Sequence, residues 1–207
     1  MTILDIRSKI SDDIFSYLEL TDALSSYSNV RDKIRNLLRR NEIIRIKKGL
    51  YMFPDVLRRG PVNSFMLANL IYGPSYVSCE SALSYHGLIP ESVPATISIS
   101  FGRSRSFETV LGRFEYHRRA TRDYSLGVEW LQSNKSCFLI ASPLKAVYDK
   151  ASLDARFNGE EIGQYLFEDL RIDCDALKNS DWELLEQLKA YARGRMLKLL
   201  NFLEELR

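Results

Sequence analysis

The sequence predicts an α+β protein: an N-terminal winged helix-turn-helix at 1–56, a short linker at 57–62, and a mixed α/β domain at 63–207 that ends in helices. Three observations predict it. Residues 28–53 join an arginine-rich helix pattern to a basic hairpin, Pro54 and Pro61 bracket a break in both periodicities, and beyond the break strand-like runs alternate with capped helix patterns. With 207 residues and 45% hydrophobic content, the chain can bury a small N-terminal core and a second, larger one.

Residues 2–10 read as an amphipathic packing helix with Ile3, Ile6 and Ile10 on one side. Ile14, Phe15, Leu18, Leu20, Leu24 and Tyr27 supply further apolar positions, and Thr21-Asp22 is expected to cap a short helix at 21–26, with Ser25 and Ser26 in the following turn. In the next helix Val30, Ile34, Leu37 and Leu38 fall on one apolar stripe. Asn29, Asp32, Arg35, Asn36 and Arg39 then face away from the core. Arginine and asparagine can form bidentate hydrogen bonds to guanine and adenine edges, so these five are the expected base readers of a recognition helix. Lys33 and Arg40 flank them and suit phosphates. Ser28 is the expected N-cap, which would leave backbone amides free for a phosphate.

The hairpin follows at once. Ile44 and Ile46 alternate with Arg45 and Lys47, giving one apolar and one cationic face, and Lys48-Gly49 supplies the tight turn. Arg45, Lys47 and Lys48 are therefore expected on DNA phosphates. Between Arg31 and Arg59 the net charge is +7, in a chain whose total is only +2. So concentrated a charge suits a polyanion, bound with strong salt dependence.

Beyond the linker a helix at 63–71 is broken by Gly73-Pro74. A second helix has Ser78 as its expected N-cap, Glu80 in its first turn and Gly87 just past its end. Strands are expected at 96–101, 109–118, 127–131 and 136–141, then a helix at 143–152 with Ser142 at the N-cap and Pro143 at N1. The remainder is expected to be helical. Its last helix, from about Asp181, carries Leu185, Leu188, Ala192, Leu199, Leu203 and Leu206 on a stripe that suits a domain core, a second subunit or a partner protein.

Residues 154–207 carry a net charge of −4, which argues against their lying on DNA. By contrast Arg103, Arg105, Arg113, Arg118, Arg119 and Arg122 form a second basic region. It extends a nucleic-acid surface, meets an acidic partner, or protects a strand edge with charge.

Several function classes have little support. The chain has no apolar run of bilayer length and no leader followed by a small-residue cleavage site, so it is expected to be soluble and cytoplasmic. Cys79, Cys137 and Cys174 are too few and too far apart for a disulfide framework, and read as reduced, mostly buried thiols. Cys79 and His86 share a helix face but stand about 10 Å apart along its axis, too far for nucleophile activation. His86 and His117 lack a close cluster of acids, and there is no glycine-rich phosphate loop, so neither a metal nor another cofactor is expected and an enzyme is not.

Three motifs then occur in order: Lys48-Gly-Leu-Tyr51, Tyr76-Val-Ser-x-x-Ser-Ala-Leu-x-x-His-Gly-Leu88, and Ser142-Pro-x-Lys-Ala-x-x-Asp149. Together with the basic winged-helix pattern that ends in the first of them, over residues 13–152, they make the chain resemble the AbiEi-type antitoxins, regulators of abortive-infection toxin-antitoxin systems. The resemblance implies an autorepressor that binds inverted repeats of double-stranded DNA in its own operon promoter, as a homodimer or a cooperative pair. It also implies that the second domain counteracts a cognate nucleotidyltransferase toxin. Residues 154–207 carry little of the match. A second possibility, from a different class, is an RNA-binding enzyme or accessory subunit whose winged helix recruits substrate.

Overall fold

The computed structural model describes residues 2–133, 136–178 and 182–206. It is a mixed α+β chain that divides into two compact units. The first comprises residues up to Asn63 together with Thr109–Leu111; the second comprises Ser64–Glu108 and the chain from Gly112 onward.

In the first unit the elements run α1 (Ile3–Lys9), β1 (Ile14–Ser16), α2 (Tyr17–Ala23), α3 (Val30–Arg39), β2 (Ile44–Lys47) and β3 (Leu50–Met52). Thr2 and Asp5 close a capping box on α1, and Ser16 and Glu19 close another on α2. The second box corrects the expected cap at Thr21. Thr21 lies inside α2, where its hydroxyl donates back to the Leu18 carbonyl at 2.8 Å, and Ser16-x-x-Glu19 sets the start instead.

The expected two-strand ribbon is a three-stranded sheet of order β1-β3-β2, antiparallel throughout. β1 has only three residues, too few to show a period, and β3 fixes it by pairing Ile14 with Met52 and Ser16 with Leu50. The core of this unit gathers Ile6, Phe15, Leu20, Leu24, Ile34, Leu37, Ile43 and Phe53, with Ile3, Tyr27, Val30 and Leu38 packed against it.

Arg7 locks the core to its edges. Its buried guanidinium reaches Asp13 at 2.5 Å, donates to the carbonyls of Leu57 at 3.0 Å and Ile10 at 2.7 Å, and lies 4.6 Å over the Phe53 ring. Asp13 also accepts from the Arg59 amide at 2.9 Å. The first residues of the expected linker are thereby held to the first unit, and α4 does not begin until Ser64.

The second unit contains α4 (Ser64–Ile71), β4 (Ser75–Val77), α5 (Cys79–Tyr85), β5 (Ala95–Ser100), β6 (Arg105–Thr109), β7 (Gly112–Arg118), β8 (Val128–Ser133), β9 (Ser136–Ala141) and α6 (Pro143–Leu153). Its mixed six-stranded sheet has the order β6-β7-β5-β4-β9-β8. β4 runs antiparallel to β5 and parallel to β9, β5 runs parallel to β7, and β8 is antiparallel to β9. The strand expected at 109–118 is β7 and starts three residues later, at Gly112. β6, which shares only Thr109 with that span, is an additional edge strand that the sequence pattern does not announce, because its one apolar residue, Phe107, gives no alternation to read.

Past α6 come α7 (Ile162–Gln164), a wider π turn at Tyr165–Asp169, α8 (Cys174–Lys178), α9 (Trp182–Tyr191) and α10 (Arg195–Glu205). The expected single last helix is a pair of helices packed on each other, broken at Arg193-Gly194. Its expected start at Asp181 lies outside the described residues. Leu185, Leu188, Ala192, Leu199 and Leu203 are buried in the core of this unit, so that stripe is not an open seam for a second subunit. Among the described residues no helix is long and apolar enough to cross a membrane.

Candidate nucleic-acid interface

α3 buries Ile34 and Leu37 and half-buries Val30 and Leu38 against the first core. That packing decides what the other side presents: Arg31, Arg35, Asn36, Arg39 and Arg40 are exposed. Asn29, not Ser28, caps the helix. Its Oδ1 accepts from the Asp32 amide at 3.2 Å, so the expected cap shifts by one residue and Ser28 stands exposed just before it.

The five expected base readers divide into two groups. Asn29, Asp32 and Arg35 form a chain along the first turns, in which the Asn29 amide donates to one carboxylate oxygen of Asp32 and Arg35 Nη1 donates to the other at 2.8 Å. The Arg35–Asp32 pair is well exposed, at 78% and 50% of the side-chain surface. A pair so open to water is worth at most about 1 kcal/mol, so it leaves the Arg35 guanidinium available to a stronger bidentate acceptor. Asn36 and Arg39 lie on the same exposed side one turn further on, and among the described residues no carboxylate pairs with Arg39.

The phosphate set is also sorted by its surroundings. Lys33 lies with its amine 5.1 Å over the Tyr27 ring, and Arg40 stands 4.0 Å from Glu42. In the hairpin Ile46 is buried and Arg45 and Lys48 are exposed. Ile44 is only half-buried because Ile43, one residue earlier, takes the core position. The register slips between Arg45 and Lys47, and Lys47 is half-covered, its amine pushed below the ordinary lysine pKa by burial. Arg45 and Lys48 are the more available cations. At the tip Gly49 takes φ +87°, a left-handed conformation that a side chain would strain, although the space around it is open.

Five of the six arginines of the second basic region are exposed. Arg119 is buried, which corrects its expected exposure, and Arg113 is paired with Glu115 at 2.7 Å and Glu108 at 3.5 Å. Arg105 lies on the edge strand β6 with its guanidinium 5.6 Å over the Tyr72 ring. Arg103, Arg118 and Arg122 are exposed.

Arg119 belongs to a buried ionic network that sequence reasoning did not anticipate. Asp149, fully buried on α6, accepts from Tyr76 Oη at 2.9 Å, Ser78 Oγ at 2.8 Å and Arg119 Nη1 at 3.1 Å, with Lys145 Nζ at 3.4 Å. Arg119 also pairs with Asp123, whose carbonyl accepts from Lys145 Nζ at 3.0 Å. Burial, and then the Asp149 charge, push the Tyr76 phenol far above its ordinary pKa. Burial pushes the Lys145 amine down, with Asp149 opposing it. Burial alone would lower the Arg119 guanidinium, but Asp149 and Asp123 outweigh it and hold it up. Two carboxylates and two cations thus neutralise one another inside the second unit, joining β4, the chain after β7 and α6.

The motif residues Tyr76, Ser78, Lys145 and Asp149 meet in that network, although about 70 positions separate the two motifs. The hydroxyl of Ser78 is spent on Asp149 and makes no cap hydrogen bond to α5. His86 Nε2 lies 2.8 Å from the Ala141 carbonyl, and the Cys79 thiol is raised well above its usual pKa, chiefly by burial. Neither arrangement activates a nucleophile. Cys137 and Cys174 are only half-buried, less covered than expected, and all three cysteines are free. Among the described residues no group of three or more histidine, cysteine or acidic side chains is placed to hold a metal ion.

No protein-family model matches this chain, and no curated protein does either.

Proposed function

We propose that the chain is a DNA-binding antitoxin and transcriptional autorepressor, acting in the cytoplasm without an enzymatic activity of its own. Its first unit is a winged helix-turn-helix in which α3 enters the major groove and the β2–β3 hairpin is the wing. Two copies bind the inverted repeats of its own operon promoter, and the second unit counteracts a cognate nucleotidyltransferase toxin.

The observation that carries the proposal is the exposed row Arg35, Asn36 and Arg39 on a helix anchored by Ile34 and Leu37, with Arg45 and Lys48 exposed on the hairpin that follows. The order helix, strand, helix, helix, hairpin, with the first strand added beside the last, supports the wing assignment. So does the local net charge of +7 between Arg31 and Arg59. The antitoxin role rests on the motif resemblance, and its residues fit a second unit whose interior is fixed by Tyr76, Ser78, Lys145 and Asp149.

The test is a gel shift with the DNA upstream of the chain's own gene, comparing wild type with Arg35→Ala/Arg39→Ala. Loss of about 1–3 kcal/mol per arginine, and relaxed discrimination between the repeat and scrambled DNA, is the expected result. Equal binding by the double variant at moderate salt would remove α3 from the interface. For the antitoxin role, the expected neighbouring open reading frame is a nucleotidyltransferase, and co-expression of the chain with it should restore growth that the transferase alone arrests.

A further inference from the structure

A groove of about 850 Å³ lies in the second unit, between the chain that follows β7, the end of α6 and the turn from α9 to α10. Arg118, Arg122 and Arg193 line it together with Tyr191, Leu153 and Met196. We infer that this groove binds a nucleoside phosphate, with guanidinium groups on the phosphates and the apolar side chains against the base.

Charge is the first support. Four arginines and a single aspartate line the groove, and that aspartate, Asp123, is already paired with Arg119 at 3% exposure. Among the described residues no carboxylate pairs with Arg118, Arg122 or Arg193. Arg193 is held by donating from Nη1 to the carbonyls of Ala192 at 2.6 Å and Ala190 at 3.3 Å, at the end of α9. A fixed guanidinium loses less entropy on binding a phosphate than a freely rotating one.

The second support is apolar surface in the same place. Tyr191 is 49% exposed and Leu153 37% exposed, so both offer apolar surface to a ligand in the groove. A tyrosine ring beside arginines suits a planar base, whose stacking is tolerant of sequence. The volume falls within the roughly 300–1,000 Å³ of small-molecule clefts, which favours a mononucleotide over a strand. The floor is preorganised, because Arg119 lies 4.9 Å over Tyr148 and is held by Asp123 and Asp149.

The test is isothermal titration calorimetry on the full chain with ATP, adenosine and tripolyphosphate. ATP is expected to bind one to one, with adenosine and tripolyphosphate each at least about tenfold weaker. The exposed triple variant Arg118→Ala/Arg122→Ala/Arg193→Ala should lose at least about tenfold for ATP, and Tyr191→Ala should weaken ATP while leaving tripolyphosphate unchanged. Binding by the hairpin variant Arg45→Ala/Lys48→Ala should match wild type, and the triple arginine variant should keep its operator affinity, so failure here is separable from failure of the DNA proposal.

No ATP binding up to about 10 mM would overturn the inference, that being weaker than a typical millimolar ligand. Tripolyphosphate binding as tightly as ATP would reduce the groove to a polyanion patch. A single-stranded hexanucleotide bound much more tightly than ATP would replace the mononucleotide with a strand.

Discussion

Replacing Asp149 by asparagine should be among the most damaging single changes in the second unit. The substitution preserves volume but removes the charge that faces Lys145 at 3.4 Å and Arg119 at 3.1 Å, leaving Asp123 to answer two buried cations. It also weakens the acceptor for Tyr76 and Ser78. Breaking a buried ion pair from one side costs about 3–5 kcal/mol, a large part of the roughly 5–15 kcal/mol that holds a typical domain. That corresponds to a melting temperature lower by roughly 6–20 °C. Urea unfolding gives the total, and hydrogen exchange on peptides from β4 and α6 assigns the loss to this unit. The paired replacement Lys145→Met/Asp149→Asn should cost less than Asp149→Asn alone, because it leaves Arg119 and Asp123 matched while keeping an acceptor for Tyr76 and Ser78. A loss below about 1 kcal/mol for Asp149→Asn, or strict additivity of the single replacements, would refute the network as a coupled unit.

Three further outcomes are expected. Arg7→Ala should destabilise the first unit by about 2–4 kcal/mol, read by hydrogen exchange in α1 and β3, since it strips Asp13 and the carbonyls of Ile10 and Leu57 of one shared donor. Gly127→Ala should cost more than Gly49→Ala in urea unfolding. Both positions have positive φ, worth about 1–2 kcal/mol of strain, but a Cβ on Gly127 would come within 2.5 Å of Leu184 and 3.0 Å of Lys145 and Ser142, adding about 1–3 kcal/mol of overpacking. Finally, stability should fall on acidification through Asp123. Burial alone would raise its carboxyl pKa, but hydrogen bonds from Thr121 and Arg119 outweigh this and lower it. A depressed carboxyl contributes stability above its unfolded pKa, about 4, and loses it as pH drops through the folded value, so urea midpoints at pH 7, 5 and 3.5 should decline mainly over the last step, and less in Asp123→Asn.

Much of the local structure was legible because it is coded locally. The apolar stripe of α3, the turn at Gly49, the strand at Ser136–Ala141 and the cap of α6 by Ser142 each follow from a few adjacent residues. The start of α2 was equally local, in Ser16-x-x-Glu19, but Thr21 offered a competing cap signal. β1 and β4, three residues each, are strands only because their neighbours pair with them, and no period can appear in so short a run. The break in the helix expected to run on to the C-terminus falls in the one longer gap of its stripe, from Ala192 to Leu199, a seven-residue step that an unbroken helix also allows.

The candidate interface was legible as a set of residue types, and less so as a set of free groups. The exposed arginines follow from the buried face of α3, but the pairing of Asp32 with Asn29 and Arg35 depends on the cap falling at Asn29. The fate of Arg119 was hidden altogether. One arginine among six nearby is buried because Asp123 and Asp149, one local and one 30 residues on, converge on it, and only the tertiary fold brings them together.

Operator binding measured against salt tests the DNA-reading role most directly. With a labelled duplex carrying the upstream repeat, log affinity should fall linearly with log salt, and Arg45→Ala/Lys48→Ala should flatten that slope by about 2 while Arg35→Ala/Arg39→Ala abolishes preference for the repeat over scrambled DNA. A slope unchanged by the hairpin variant, together with intact sequence preference in the helix variant, would contradict an interface built from α3 and the β2–β3 hairpin.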